Sequence, residues 1–202
     1  MYQYLYNRIQ KIILKKSLNS DSAKLAEMLR VKAIIDIGCA NSEILKYLKN
    51  PNKIKYFGYE PENFFILKSK KKYNKKNLYF SSKKINEINF SQFDKKNTLI
   101  LAIGIFHHIK DTEVVKFVKK VKGFKVFTLD AVRLPNQSLI TKLLFFLDKG
   151  KYIRFKYHYK NITKSFKYKI LKNRYLRFKY DHLCCYQNIN SRIINKLINS
   201  NK

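Results

Sequence analysis

The sequence predicts an α/β fold, a mostly parallel sheet with helices on both faces. Three observations predict it. Residues 33–38 and 98–104 are largely apolar runs rather than alternating ones, as in strands buried on both faces. Stretches with helical spacing separate the strand-like runs, which is the βαβ pattern of a parallel sheet. The first run ends in a turn of small residues, Asp36-Ile37-Gly38-Cys39-Ala40-Asn41-Ser42, of the kind that brings a ligand close to the backbone.

Along the chain, residues 2–16 read first as an amphipathic basic helix, with Leu5, Ile9, Ile12 and Ile13 on one stripe. A second helix comes after an Asn19-Ser20-Asp21 cap and buries Leu25, Met28 and Leu29. Together they form an N-terminal cover, residues 1–30, over a main domain at 31–190, with a C-terminal helix and tail at 191–202. After the first strand, 43–48 is helical and Asn50-Pro51 ends it. Residues 55–60 are the second strand. Pro61 opens a helix that continues through Phe64, Phe65 and Leu67, and 78–80 is the third strand. The most apolar strand is 98–104. Asp111-Thr112 caps a helix at 113–122, whose late lysines suit the dipole and which Gly123 stops. Residues 124–130 are the fifth strand, and 137–147 form an apolar helix closed near Gly150. A basic, Tyr-rich helix spans 156–165. Residues 167–178 and 181–188 alternate as paired strands, and 191–198 is the last helix. Phe64, Phe65 and the apolar positions of 139–147 are expected in the core.

Composition sets the outer bounds. The chain has 202 residues, enough for one core. With 46% hydrophobic and 15% aromatic residues it is a packing chain, not a disordered one. Cys39, Cys184 and Cys185 are odd in number and two are adjacent, which argues against a disulfide framework and for a reducing cytoplasm. In a strand, Cys184 and Cys185 point to opposite faces. No apolar run is long enough to span a bilayer. No His, Cys and carboxylate cluster has metal-ligand spacing along the chain, so no metal is expected. Lys and Arg number 44 against 13 Asp and Glu, a net +31. Such a field attracts nucleic acid, anionic membranes and anionic substrates. Enrichment in Lys, Asn, Ile, Tyr and Phe, all with A/T-rich codons, is the compositional explanation of the same bias, and both stay open.

The strongest motif is the 36–42 turn together with Glu60. The turn comes after a buried strand and opens a helix, whose N-terminus offers free N–H groups. Glu60 ends the next strand, 22 residues after Gly38. A carboxylate at about that distance accepts hydrogen bonds from a ribose diol.

These residues resemble a family. Asp36-Ile37-Gly38-Cys39 is similar to the opening of the glycine-rich first motif of class I S-adenosylmethionine-dependent methyltransferases. Tyr56-Phe57-Gly58-Tyr59-Glu60-Pro61 looks like their second motif. Ala102-Ile103-Gly104-Ile105-Phe106-His107-His108-Ile109 is similar to the segment after their fourth strand, and Phe124-Lys125-Val126-Phe127-Thr128-Leu129-Asp130 to their fifth strand. The likeness covers about residues 30–190. Residues 148–154 look like small bacterial members, some of them linked to surface polysaccharide synthesis.

The resemblance implies a Rossmann-like, mostly parallel seven-stranded sheet with an antiparallel terminal strand, and S-adenosylmethionine as cofactor. It implies roles as well. Asp36 and Gly38 line the methionine end, with Cys39 and Ala40 beside them in the turn. Glu60 holds the ribose, with Pro61 next to it. Ile85 and Asn86 border the adenine, and Ala102 and Ile103 offer backbone groups to the methionine. The family has glycines where this chain has Ala40 and Ser42, and each added Cβ narrows the approach.

Methyl transfer is an in-line displacement at a sulfonium methyl, and a hydroxyl acceptor also needs a base. His107 and His108, just past the central strand, and Asp130, at the end of the fifth, are the candidates. His158, His182, Asp148 and Arg154 are secondary candidates for the acceptor side, each read first as structural. The leading expectation is methyl transfer to a small-molecule or saccharide-related acceptor. Two rivals stand beside it: an RNA methyltransferase whose lysines neutralise phosphates, and a degenerate basic binding module without cofactor. The Asn/Asp-Pro-Pro-aromatic motif of nucleobase-amino methyltransferases is missing, which counts against that chemistry. Oligomeric state is not encoded in any of these signals.

Overall fold

The computed structural model describes residues 17–148, 150–175 and 180–199. The helix expected at 2–16 lies outside the described residues. The sheet is built from β1 (Ala33–Ile37), β2 (Lys55–Tyr59), β3 (Leu78–Ser81), β4 (Thr98–Ile103), β5 (Lys125–Arg133), β6 (Arg154–Phe155), β7 (Lys167–Leu171) and β8 (His182–Gln187). The helices are α1 (Leu18–Met28), α2 (Asn63–Lys72), α3 (Asp111–Lys120), α4 (Leu139–Leu147), α5 (Lys156–Ile162) and α6 (Ser191–Asn199).

The strand order is β3-β2-β1-β4-β5-β8-β7, and the two-residue β6 pairs with β5. β1 to β5 are parallel to one another; β8 runs antiparallel to β5 and β7. The antiparallel strand is the last in the chain but lies inside the sheet, between β5 and β7. The continuous apolar runs have the expected cause. Ile34, Leu99, Leu101 and Cys184 enter one core cluster, while Ile35, Ile100, Ala102 and Cys185 enter the cluster on the other face. Each fully buried Leu or Ile contributes roughly 1.5–3 kcal/mol of transfer free energy, so covering both faces is the main stabilising term.

Several boundaries differ from expectation. α1 starts at Leu18, and Asp21 is not a cap. Asp21 is buried and accepts hydrogen bonds from Tyr175 Oη (2.9 Å) and Arg174 Nε (2.8 Å). Residues 43–48 form only a four-residue 3-10 helix, Glu43–Lys46, so the turn does not open a full helix. Pro61 precedes α2 rather than opening it; Glu62 is the cap position. α3 starts at Asp111, inside the expected cap, because the Glu113 side chain already caps the Lys110 N–H (3.1 Å). β5 runs on to Arg133. β7 stops at Leu171, and residues 176–178 of the expected strand lie outside the described residues. The core expectation fails at two places. Phe64 is 67% exposed, and α4 buries Thr141, Leu144 and Phe145 while Leu139 and Phe146 point to solvent.

Candidate functional site

β2 and β3 extend the sheet to one side of β1, while β4 and β5 extend it to the other. The chain therefore changes direction between β1 and β4. The crevice at the carboxyl ends of such strands is where open α/β sheets bind ligands. A cleft of about 560 Å³ opens there, lined among others by Gly38, Ala40, Glu60, Ile85, Ile103 and His108.

The turn takes its shape from three left-handed residues: Gly38 (φ 68°), Ala40 (φ 42°) and Ser42 (φ 53°). At Gly38 a Cβ would collide with the Ile105 side chain, so only glycine leaves the cleft open here. Ala40 and Ser42 adopt the same backbone region with a Cβ, at a cost of about 1–2 kcal/mol each. Two serines hold them there. Ser42 Oγ and Ser69 Oγ are 3.2 Å apart, and Ser69 Oγ donates to the Ala40 carbonyl (3.3 Å). The turn's next anchor is the carboxylate itself. Glu60 Oε2 accepts from Ala40 N (3.1 Å) and Oε1 from Glu62 N (3.1 Å), so its orientation is fixed by backbone donors.

The other expected cofactor residues fall in two groups. Pro61 lines the cleft with Gly38, Ala40, Glu60, Ile85 and Ile103. Asp36, Cys39, Asn86 and Ala102 do not line it. Asp36 lies beneath the turn and accepts from Tyr56 Oη (2.7 Å). Burial pushes its pKa up to about 7, and the Glu60 charge adds to that against the Tyr56 hydrogen bond. Cys39 is buried, and burial together with the Asp36 charge pushes its thiol up to about 12, so it is an unreactive packing group. The Asn86 amide donates to Glu113 Oε1 (3.0 Å), and Glu113 lines the cleft. The Ala102 side chain is in the core. Sequence reasoning missed Tyr59, Lys83 and Lys84 in the wall, and Tyr56 and Ser69 behind it. Tyr59 and the lysines lie at the ends of expected strands, which is the signal that locates them; nothing local marks Ser69.

The structure separates the two adjacent histidines. His107 is buried, with Nδ1 2.7 Å from Asp130 Oδ1 and Nε2 3.6 Å from Asp148 Oδ1. Burial opposes its charge, but the hydrogen bonds to Asp130 and Asp148 outweigh it and raise its pKa to about 9. At neutral pH it is a cation clamped by two carboxylates. Gly150 packs so closely on this ring that a Cβ there would strike it. Asp130 is 2% exposed and committed to the clamp, out of reach of the cleft. His108 faces the cleft. Partial desolvation, with the His107 charge beside it, lowers its pKa and leaves it neutral at pH 7. Arg154 is a strap. Its Nε donates to Asp111 Oδ1 (2.7 Å), Nη2 to the Ile109 carbonyl (2.7 Å) and Nη1 to the Phe106 carbonyl. His158 Nε2 lies 2.6 Å from Asp111 Oδ2, and His182 is buried against Tyr175 and Tyr180.

Among the described residues, His107, His108 and Asp148 put ligand atoms within 4.8 Å of one another. Spacing along the chain did not foreshadow this, because residues 107 and 148 meet only through the fold. A cation there would compete with the proton that His107 holds between the two carboxylates.

No family model matches the chain, and no curated protein matches it. Solved structures do. Human N-acetylserotonin methyltransferase in complex with SAM aligns with a TM-score of 0.62 at 13% identity, over 92% of this chain and 55% of that one. The plantazolicin methyltransferase, in complex with a triazolic desmethyl analogue and SAH, aligns at TM-score 0.61 and 14% identity, over 93% and 90%. A SAM-dependent methyltransferase from Archaeoglobus fulgidus aligns at TM-score 0.60 and 15% identity, over 83% and 94%. The fold is that of class I methyltransferases. The chain spans about half the length of the human enzyme and most of the other two. On this methyltransferase fold the cleft lies at the reversal point of the sheet, bounded by the turn after β1 and the acid after β2.

Proposed function

We propose that the chain is an S-adenosylmethionine-dependent methyltransferase acting on a small-molecule acceptor, a class that includes the saccharide-related acceptors implied by residues 148–154. One observation carries the reading. The Glu60 carboxylate lines the cleft and is held there by two backbone N–H groups, one of them that of Ala40 in the left-handed turn. That is an acceptor for a ribose diol placed beside a close-approach surface. The fit holds although Ala40 and Ser42 are not glycines, since both keep the left-handed backbone.

In this reading Gly38 and Ala40 hold the methionine end, Glu60 the ribose and Ile85 the adenine, with Ile103 across the cleft. The cofactor, when bound, supplies an electrophilic sulfonium methyl. His108 is the base. It is neutral, lines the cleft and can take a proton from a hydroxyl acceptor. His107 is a positioning residue: its charge, shared with Asp130 and Asp148, fixes the 3-10 turn Phe106–His108. The human enzyme and the plantazolicin methyltransferase are named for small-molecule or peptide-derived substrates, which favours that acceptor class.

Titration calorimetry with S-adenosylmethionine and S-adenosylhomocysteine tests the proposal, with Glu60→Ala alongside. The native chain is expected to bind at micromolar levels and the variant about 10- to 100-fold more weakly, roughly 1–3 kcal/mol for a lost charged acceptor. No saturable binding by well-folded native protein overturns the reading.

A further inference from the structure

α4 buries one side and presents the other to solvent. Leu139 is 81% exposed and Phe146 82%, and Ile140 and Leu143 complete the stripe between them. Positions 139, 143 and 146 recur at helical spacing, so this is one continuous apolar face. It borders a groove of about 430 Å³ lined by Arg133, Lys142, Phe146 and Phe155. Exposed apolar helix faces of this kind mark interaction surfaces.

Charge decides which partner. From residue 114 to residue 180 the sequence holds two acids, Asp130 and Asp148, and both side chains are turned inward onto His107. The groove lining contains Arg133 and Lys142 and no acid. A second copy would set this basic face against itself. Residues 1–16 carry Arg8, Lys11, Lys15 and Lys16 and no acid, so they too would be repelled. RNA supplies the opposite charge, but its bases stack on aromatic rings, whereas the stripe is mainly Leu and Ile. Hydrocarbon flanked by anionic headgroups matches both features.

We propose that the α4 face docks on an anionic phospholipid bilayer. The helix lies in the interface with Leu139, Leu143 and Phe146 in the acyl boundary, and Arg133 and Lys142 at headgroup level. It does not cross the membrane: no described helix is long and apolar enough. Docking there brings the cleft close to the lipid surface. Asp148, the residue after α4, contacts His107, and His107 adjoins His108 in the cleft wall. The acceptor side would then draw on molecules held at the bilayer.

Flotation of the full chain with phosphatidylcholine vesicles, with and without phosphatidylglycerol, tests this apart from methyl transfer. The native chain is expected to float with the anionic vesicles, less so at high salt, and hardly with phosphatidylcholine alone. The double variant Leu139→Glu, Phe146→Glu changes only exposed positions, and its thermal unfolding should match the native chain. It is expected to lose vesicle binding about tenfold or more. Four results overturn the proposal. These are no flotation of the native chain, equal flotation of the variant, light scattering showing a native dimer that the variant dissolves, and RNA binding that the variant abolishes while vesicle binding persists.

Discussion

The half of the chain up to Glu113 and the half from Ala131 onward place their unfavourable groups differently. In the first half the costs are internal. In the turn, Ala40 and Ser42 sit in left-handed backbone without being glycines, and the Asp36 carboxyl is buried beneath them. Both lie at the cleft, so the strain coincides with the proposed cofactor site. In the second half the costs are external. Large apolar side chains stand in water on α4, with lysines and arginines around them and no acid to balance them. Strain concentrated at a cleft serves a ligand that must be held at one geometry. Apolar exposure spread along a helix serves a partner with no fixed geometry of its own. His107 joins the cleft wall to the second half, since it ties Asp148, the residue after α4, and Asp130 within β5 to that wall.

Three substitutions would break or sharpen that contrast. The largest effect is expected at Gly38→Ala, which adds a Cβ against Ile105 in left-handed backbone. It should cost about 3 kcal/mol or more in denaturant unfolding. A cost near zero would mean that the cofactor half is not tightly built.

His107→Gln comes next. The native His107 pKa, about 9, is raised above its unfolded value of 6.5, so the folded state holds the proton more tightly. The stabilisation is full below pH 6.5 and is lost as pH rises through 9. Between about pH 7 and 9.5 the unfolding free energy of the native chain should therefore fall by on the order of 2 kcal/mol more than that of the variant, while the buried thiols, held protonated in the folded chain, lower both alike near pH 9. Asp36 and His182 titrate mainly below this window. A native profile parallel to the variant's would remove the clamp that joins the halves.

The smallest effect is expected at Ala40→Gly. Glycine adopts φ 42° without strain but loses more entropy on folding, which leaves a net gain of about 0.5–1 kcal/mol. S-adenosylmethionine affinity should rise as well. A loss of stability would show that the Ala40 Cβ packs productively.

Particular residues show how much of this was legible. Ile34-Ile35 and Leu99-Ile100 announced strands buried on both faces because a two-sided core permits no polar alternation. Gly38 and Glu60 announced the cleft because left-handed backbone and a strand-end acid are local requirements. Asp36 and Cys39 fall behind the cleft wall because pocket walls depend on side-chain direction, which strand ends do not specify. α4 was assigned to the core because its sequence is apolar all round. An isolated helix does not encode how many of its faces another layer will cover.

The sequence by itself determined the strands buried on both faces, the small-residue turn and the acid that ends the next strand, since period, small residues and chain spacing are properties of the local chain. Only the tertiary structure decided which of two adjacent histidines is a buried cation and which lines the cleft. Asp130 and Asp148 reach His107 from 23 and 41 residues away, and the fields that set a proton's affinity act through space rather than along the chain.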